Sequence, residues 1–265
     1  MKALIFSIFI SAALIGCNTS TDSAMPEMPG VYFMQSQIID NGTEKTTLKD
    51  LNQLKLFTDK YFMYVQANRR NSIYSFGLGT YSVSDSGLVL ENAIYSASDS
   101  IFNSEPRTYR LNITTNYDGY KQVIPEIVIA QQKSILTEEY KRAGKNTTTP
   151  LDGVWKETNF YIVNGSDTVS KERTQFKAFY NGYFMYGQYY LNDSTNHYTT
   201  GMGYGTFKME SDHQIKETDL NSSYNIVPGA IYTIEIEMIN ENSYKQTLIQ
   251  PDGSKHIEVY QRLKS

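Results

Sequence analysis

The chain has 265 residues, of which 40% are hydrophobic and 20% are charged. This is enough apolar material for folded domains and argues against intrinsic disorder. Because 24 Lys and Arg stand against 28 Asp and Glu, the net charge is -4, with no basic excess to neutralise phosphates, and we expect no nucleic-acid partner. The 22 Tyr and 12 Phe favour half-buried strands, so we expect an all-β fold.

The first 17 residues have the pattern of a bacterial export signal. A lysine precedes an apolar run of signal-peptide length that is too short to span a bilayer. The run ends in Leu14-Ile-Gly-Cys17, which resembles the lipobox of bacterial lipoproteins, where the cysteine is acylated and the signal is cut immediately before it. The resemblance implies a signal peptide over 1–16. The alternative is an ordinary secretory peptide with an incidental cysteine.

Acylation of Cys17, the single cysteine of the chain, would attach the protein to a lipid bilayer. We therefore expect a lipid-anchored protein of the bacterial cell envelope, with the outer membrane as the favoured location. Residues 17–29 are polar, lack an apolar period and contain two prolines, so they are predicted to form a flexible tether. Residues 143–152 have similar chemistry and are predicted to form a linker.

A duplicated segment sets the organisation of the rest of the chain. Residues 53–66 align with residues 175–188 at an offset of 122 and share the sequence Tyr-Phe-Met-Tyr. Other short segments align in the same chain order at similar offsets. A repeat of this length indicates a duplicated domain and not an array of short repeats. We therefore predict two domains, at 30–142 and 153–263.

Within each repeat, apolar and polar residues alternate. Tyr232, Ile234 and Ile236 alternate with polar residues, which is the pattern of a half-buried antiparallel strand. Asn-Gly and Asp-Gly pairs recur between such runs at hairpin spacing. The pattern predicts two tandem antiparallel barrels, with two β-sandwiches as the alternative. The segments 44–50 and 125–132 could each hold a helical turn instead.

Each repeat resembles the lipocalin-like, or calycin, barrel in three features: a Gly-x-aromatic first strand, an up-and-down meander and an arginine on the last strand. The aromatic and arginine pairs are Tyr32 with Arg142 and Trp155 with Arg262. The resemblance implies that each ring packs under the guanidinium at the closed end of a barrel, a contact that contributes about 0.5 to 2 kcal/mol. The chain also resembles lipocalin-like domains of unknown function in secreted Bacteroidota lipoproteins, which carry no agreed activity to transfer.

Candidate catalytic and metal-binding residues are sparse. The three histidines, His197, His213 and His256, are dispersed in the second repeat, so no metal site and no cofactor is predicted. No nucleophile elbow occurs and the first repeat has no histidine, which argues against a duplicated hydrolase. We therefore predict no catalytic residues and no enzymatic activity.

A Gly-x-Gly motif in each repeat, Gly77-x-Gly79 and Gly203-x-Gly205, lacks the third glycine and the lysine of a phosphate loop. We interpret these glycines as points where a strand kinks to curl into a barrel.

The Tyr-Phe-Met-Tyr segments are apolar on both faces, and this permits two interpretations. They either form core strands whose outer face is covered by a loop or by the other domain, or they line a ligand cup. Glu91 and Glu217 align between the repeats. Each could point into a cavity, or could lie on the solvent-facing side of a strand, as glutamates commonly do. The candidate ligand-lining residues are Tyr61, Met63, Tyr81, Glu91, Tyr183, Met185, Tyr204, Phe207 and Glu217.

The favoured function is non-catalytic binding of a small apolar or amphipathic molecule inside a barrel. The alternative is a structural or interaction module that docks a glycan or an envelope protein through its outer surface. An internal cavity of about 300 Å³ or more that opens at a barrel mouth would favour ligand binding. We further expect the two barrels to touch, through Ile257 and Val259 of the last strand.

Overall fold

The computed structural model describes residues 27–68, 72–84, 87–96, 106–129, 131–144, 148–192 and 195–264. Within these ranges every regular element is a strand. The first repeat forms β1 (Gly30–Asp40), β2 (Lys45–Lys49), β3 (Gln53–Phe57), β4 (Tyr61–Asn68), β5 (Ile73–Val83), β6 (Leu88–Ser96), β7 (Arg107–Asn116), β8 (Gly119–Ile129) and β9 (Gln132–Arg142). The second repeat forms β10 (Gly153–Asn164), β11 (Asp167–Ser170), β12 (Arg173–Tyr180), β13 (Tyr183–Asn192), β14 (His197–Ser211), β15 (Gln214–Ser222), β16 (Ile231–Asn240), β17 (Ser243–Ile249) and β18 (Lys255–Arg262).

Each repeat closes into an eight-stranded antiparallel barrel. In the first repeat, β3 to β9 pair in chain order and β9 pairs back with β1. The first half of β1 pairs with β3 and its second half with β2, so β2 and β3 share one position in the wall. The second repeat closes in the same way. The predicted pair of tandem barrels is confirmed, whereas the sandwich alternative is wrong because the first and last strands of each sheet pair with each other.

Neither of the segments with a helical alternative forms a helix in its described residues: Lys45–Lys49 form β2, and 125–129 form the end of β8. Their side chains therefore alternate between the two faces of the barrel wall.

The two barrels meet along a continuous apolar cluster, which we call the inter-barrel interface. Its buried members are Val31, Leu54, Leu56, Met63, Val65, Ala67, Phe76 and Leu78 of the first repeat, and Val154, Phe176, Ala178, Met185, Met202 and Tyr204 of the second. Aromatic rings cross the interface: the ring centroids of Tyr95 and Phe176 are 4.3 Å apart, and those of Phe33 and Tyr183 are 5.8 Å apart. The barrels therefore share a core outside their own walls.

The interface lies mainly on β3 to β5 and β12 to β14, and not on the last strand of the second barrel. Ile257 and Val259, which the sequence marked as the contact, are half-buried on β18 and do not belong to the cluster. The strands that are apolar on both faces provide the contact instead, because their outward residues would otherwise face water.

Candidate ligand-binding site

One end of each barrel is shut by an aromatic ring under an arginine. In the second barrel, the guanidinium carbon of Arg262 lies 4.0 Å from the ring centroid of Trp155, and the indole Nε1 donates a hydrogen bond of 2.8 Å to the Leu151 carbonyl. In the first barrel, Arg142 lies 4.9 Å from the ring centroid of Tyr32. Both guanidinium groups also donate hydrogen bonds to backbone carbonyls just ahead of the first strand. A ligand must therefore enter from the opposite end.

Next to the shut end, both barrels carry the same set of inward polar side chains, which we call the ionic layer. Its members are Gln53, Lys55, Glu91, Gln122, Glu138 and Tyr140 in the first barrel, and Gln175, Lys177, Glu217, Gln246, Glu258 and Tyr260 in the second. Because both repeats contain it, the layer belongs to the shared architecture and does not by itself distinguish a binding site.

A buried lysine organises the ionic layer. In the second barrel, Lys177 Nζ lies 2.6 Å from Glu217 Oε1 and donates a 3.2 Å hydrogen bond to Gln246 Oε1. In the first barrel, Lys55 Nζ lies 2.6 Å from Glu91 Oε1. Burial raises the pKa of Glu217, and the charge of Lys177 opposes this rise. The two charges are tolerated inside the barrel because they face each other at hydrogen-bond distance.

The second barrel adds an arginine cluster above its ionic layer. Arg173 donates hydrogen bonds of 2.8 Å from Nε and 2.6 Å from Nη2 to the two carboxylate oxygens of Glu157, and its Nη2 also lies 2.7 Å from Glu258 Oε1. The guanidinium carbon is 3.7 Å from the centroid of the Phe160 ring. This planar, two-sided pairing holds Arg173 in one orientation.

The first barrel has apolar residues at the positions of this cluster. In the repeat alignment Leu51 stands where the second barrel has Arg173, and Met34 stands where it has Glu157. Both apolar side chains are buried in the interior cluster of the first barrel. The two interiors are therefore alike at the shut end and different towards the mouth.

The carboxylates that share Arg173 have different acidities. Burial raises the pKa of Glu157 to about 7, even though Arg173 opposes the rise. Burial also acts to raise the pKa of Glu258, but the nearby charges of Arg173 and Lys177 outweigh it and hold that pKa below its usual range. Glu157 therefore takes up a proton near neutral pH, mainly because burial disfavours its charged form and to a smaller extent because Glu258 repels it.

Above the ionic layer the second barrel contains a cavity of about 1390 Å³, which we call the cup. Polar side chains at its base include Lys177, Glu217 and Glu258, and tyrosines, among them Tyr190 and Tyr224, form part of its wall. The lining reaches the turn residues at the end of the barrel opposite Trp155, so the cup opens there. A cavity of this size can hold a small organic molecule.

Exposed apolar side chains occur at the open end of the second barrel, and we call them the apolar rim. They come from strand ends and loops at the open end: Val169, Leu191, Tyr198, Val227, Ile231 and Ile249. The ring of Tyr198 stacks on Tyr189 with a centroid distance of 4.7 Å and an interplanar angle of 2°. Leu191 and Tyr198 also line the cup, so part of its mouth is apolar.

The candidate lining residues divide between the interiors and the interface. Tyr81, Glu91, Phe207 and Glu217 point into a barrel, and of these Glu217 lines the cup. The prediction is wrong for five others, which lie on outward faces against the opposite barrel: Tyr61, Met63, Tyr183, Met185 and Tyr204. Tyr204 also borders a groove of about 450 Å³ at the junction. A strand that is apolar on both faces gives no signal for which face is inward.

The paired glycines allow close approaches within the barrel wall. A Cβ on Gly77 would lie 2.3 Å from the ring of Tyr64, and one on Gly203 would lie 2.8 Å from the hydroxyl of Tyr186. The second glycine of each motif follows a register shift in the strand pairing. The motifs therefore mark irregular points in the wall, in line with the interpretation as kinks.

Residues 1–26, which include Cys17, lie outside the described ranges, so the predicted signal peptide and lipid anchor remain predictions. In the described part of the chain, no group of three or more His, Cys, Asp or Glu side chains is suited to hold a metal. The same residues contain no helix of the length and hydropathy needed to cross a membrane.

No protein-family model and no curated protein matches the chain. Among solved structures, it is similar to a lipocalin-like protein from Bacteroides uniformis (18% identity, TM-score 0.28, covering 43% of this chain and all of that one). It is also similar to a protein of unknown function of the DUF3598 family from Nostoc punctiforme (8% identity, TM-score 0.28, covering 89% of this chain and 96% of that one). A third similar structure is transferrin binding protein B from Neisseria meningitidis (11% identity, TM-score 0.20, covering 84% of this chain and 61% of that one). The strand order of each repeat defines the fold: the chain consists of two closed eight-stranded antiparallel barrels in tandem.

Proposed function

We propose that the chain is a non-catalytic binding protein whose second barrel holds one small amphipathic molecule. The cup carries this proposal, because its volume of about 1390 Å³ exceeds the roughly 300 Å³ at which small-molecule pockets begin. The charged base and the apolar rim favour a ligand that enters with its polar end first and leaves its apolar end at the mouth. The first barrel, with Leu51 and Met34 towards its mouth, then serves mainly as a structural partner.

The ligand proposal is tested by filling the cup. Leu248 lies on β17 and lines the cup, whereas the neighbouring Thr247 does not. We expect the neutral fluorophore N-phenyl-1-naphthylamine to bind the purified protein at one saturable site. Leu248→Trp should weaken this binding by about tenfold or more, because the indole occupies the space of the ligand. Fluorescence titration measures both affinities.

Thr247→Trp is the matched control, since it adds the same side chain to the outer face of the same strand. It should bind the fluorophore as the original protein does. Equal affinity in the Leu248→Trp protein, or no saturable binding to the original protein, would contradict the proposal. The second result would leave docking of a glycan or an envelope protein through the outer surface as the better account.

We also propose that acylated Cys17 anchors the protein to a membrane of the bacterial cell envelope. The lipobox-like sequence and the polar tether over 17–29 support this proposal. A Cys17→Ser variant expressed in a bacterium with a lipoprotein pathway should move from the membrane fraction to the soluble fraction. Retention of the variant in the membrane fraction would show that Cys17 is not the anchor.

A further inference from the structure

The lining of the cup has a surplus of negative charge. Its carboxylates are Glu157, Glu172, Glu217, Asp219 and Glu258, and its cations are Lys171, Arg173 and Lys177. His256 adds little positive charge at neutral pH, because burial lowers its pKa. Even when Glu157 is protonated, as its pKa of about 7 allows, four carboxylates face three cations. A bound molecule with a positive charge would reduce this imbalance, and a bound anion would increase it.

The two deep cations are already engaged by protein groups. Lys177 is held by Glu217 and by the side-chain oxygen of Gln246, and only 4% of its side chain is exposed. Arg173 is held between Glu157 and Glu258. An anionic ligand could pair with either cation only by displacing a carboxylate into a buried environment, which is costly.

Gln188 supplies a second, independent indication. Its side chain lines the cup, is only 7% exposed and donates a hydrogen bond from Nε2 to the hydroxyl of Tyr224. The other end of the amide, Oε1, is buried and has no hydrogen-bond partner among the described residues. A buried acceptor without a partner is unfavourable, so it favours a ligand that donates a hydrogen bond.

From the charge surplus and the unpaired acceptor we infer that the cup selects an amphipathic cation, of the alkylammonium class, over neutral and anionic molecules with the same tail. The ammonium group donates hydrogen bonds and carries the charge that the lining lacks. The apolar tail would lie towards the rim. This inference rests on the proposed function, since it concerns the ligand of the same cup.

Three probes that share one tail test the inference: decylammonium, 1-decanol and decanoate. Each is titrated in salt-containing buffer against the full protein carrying bound N-phenyl-1-naphthylamine, with the two ionic probes kept below their critical micelle concentrations and decanol below its solubility. We expect decylammonium to displace the fluorophore at a concentration about tenfold lower than decanol, and decanoate to be the weakest competitor. Equal displacement by all three, or tightest binding of decanoate, would overturn the inference.

A Gln188→Met variant separates recognition in the cup from attraction to the acidic surface. It removes the acceptor with little change in volume, so it should cost decylammonium about three- to tenfold in affinity and leave decanol within about twofold. An unchanged decylammonium preference in this variant would contradict the assignment to Gln188. If the fluorophore itself does not bind, the proposed function fails. If it binds and decanol displaces it as well as decylammonium does, only the cation preference fails.

Discussion

Replacing Lys177 with methionine is expected to destabilise the second barrel by about 3–5 kcal/mol. The change leaves the Glu217 carboxylate buried, with 8% of its side chain exposed, and without the ammonium group that now lies 2.6 Å away. Methionine matches the length of the aliphatic stem, so the loss is mainly electrostatic. Chemical denaturation followed by tyrosine fluorescence measures the free energy of unfolding.

The double variant Lys177→Met with Glu217→Leu is the control. Removing both charges together should recover most of the lost stability, because a buried ion pair and an apolar pair differ little in free energy. Because burial raises the pKa of Glu217 in the folded state, the penalty in the single variant should shrink as the pH falls and should be lost below the ordinary glutamate value of 4.5, where the carboxyl is neutral in the folded and unfolded states. A penalty below 1 kcal/mol at pH 7 in the single variant would contradict a buried pair.

The second large effect is expected at the inter-barrel interface. Gly187 on β13 faces Phe76 of the first barrel so closely that an added Cβ would lie 2.4 Å from the ring. Gly187→Val should therefore push the two faces apart and cost about 1–3 kcal/mol through overpacking. Thermal denaturation measures the loss, and proteolysis of the linker should accelerate as the barrels separate.

Gly144→Val serves as the matched control, because a Cβ at Gly144 meets nothing within 4 Å. This variant should melt within a degree or two of the original protein, since exposed substitutions have small effects. A Gly187→Val protein that melts at the same temperature as the control would show that the interface is looser than the Phe76 contact implies.

The barrels were predictable because two signals agree. The shared Tyr-Phe-Met-Tyr sequence indicates two copies of one domain. The alternation around Ile234 indicates an antiparallel strand and shows which of its faces is apolar and points inward. The alternation did not decide between closed barrels and sandwiches, because that choice depends on the pairing of the first and last strands of each repeat, which lie far apart in sequence. The inter-barrel interface was harder to predict from the sequence. Met63 and Met185 lie on strands that are apolar on both faces, so no alternation shows which residues point outward.

The site was only partly predictable, because its partners are distant in sequence. Glu217 was a candidate from its alignment with Glu91, but the partner Lys177 lies on another strand, and no local pattern links the two. A usable signal did exist: a lysine occupies the same inward register in Gln-Leu-Lys-Leu-Phe and Gln-Phe-Lys-Ala-Phe of the two repeats. The arginine cluster had no such signal, since the first repeat has Leu51 in place of Arg173.

The inter-barrel interface is built from equivalent positions of the two repeats: Met63 corresponds to Met185, and Leu56 corresponds to Ala178. A surface that packs against its own counterpart is the hallmark of a two-fold homodimer. Here the two counterparts belong to one polypeptide, so the contact does not depend on the protein concentration. Two repeats in one polypeptide need not have identical sequences, so the second can carry Arg173 and Glu157 towards its mouth where the first has Leu51 and Met34, while the common face is preserved.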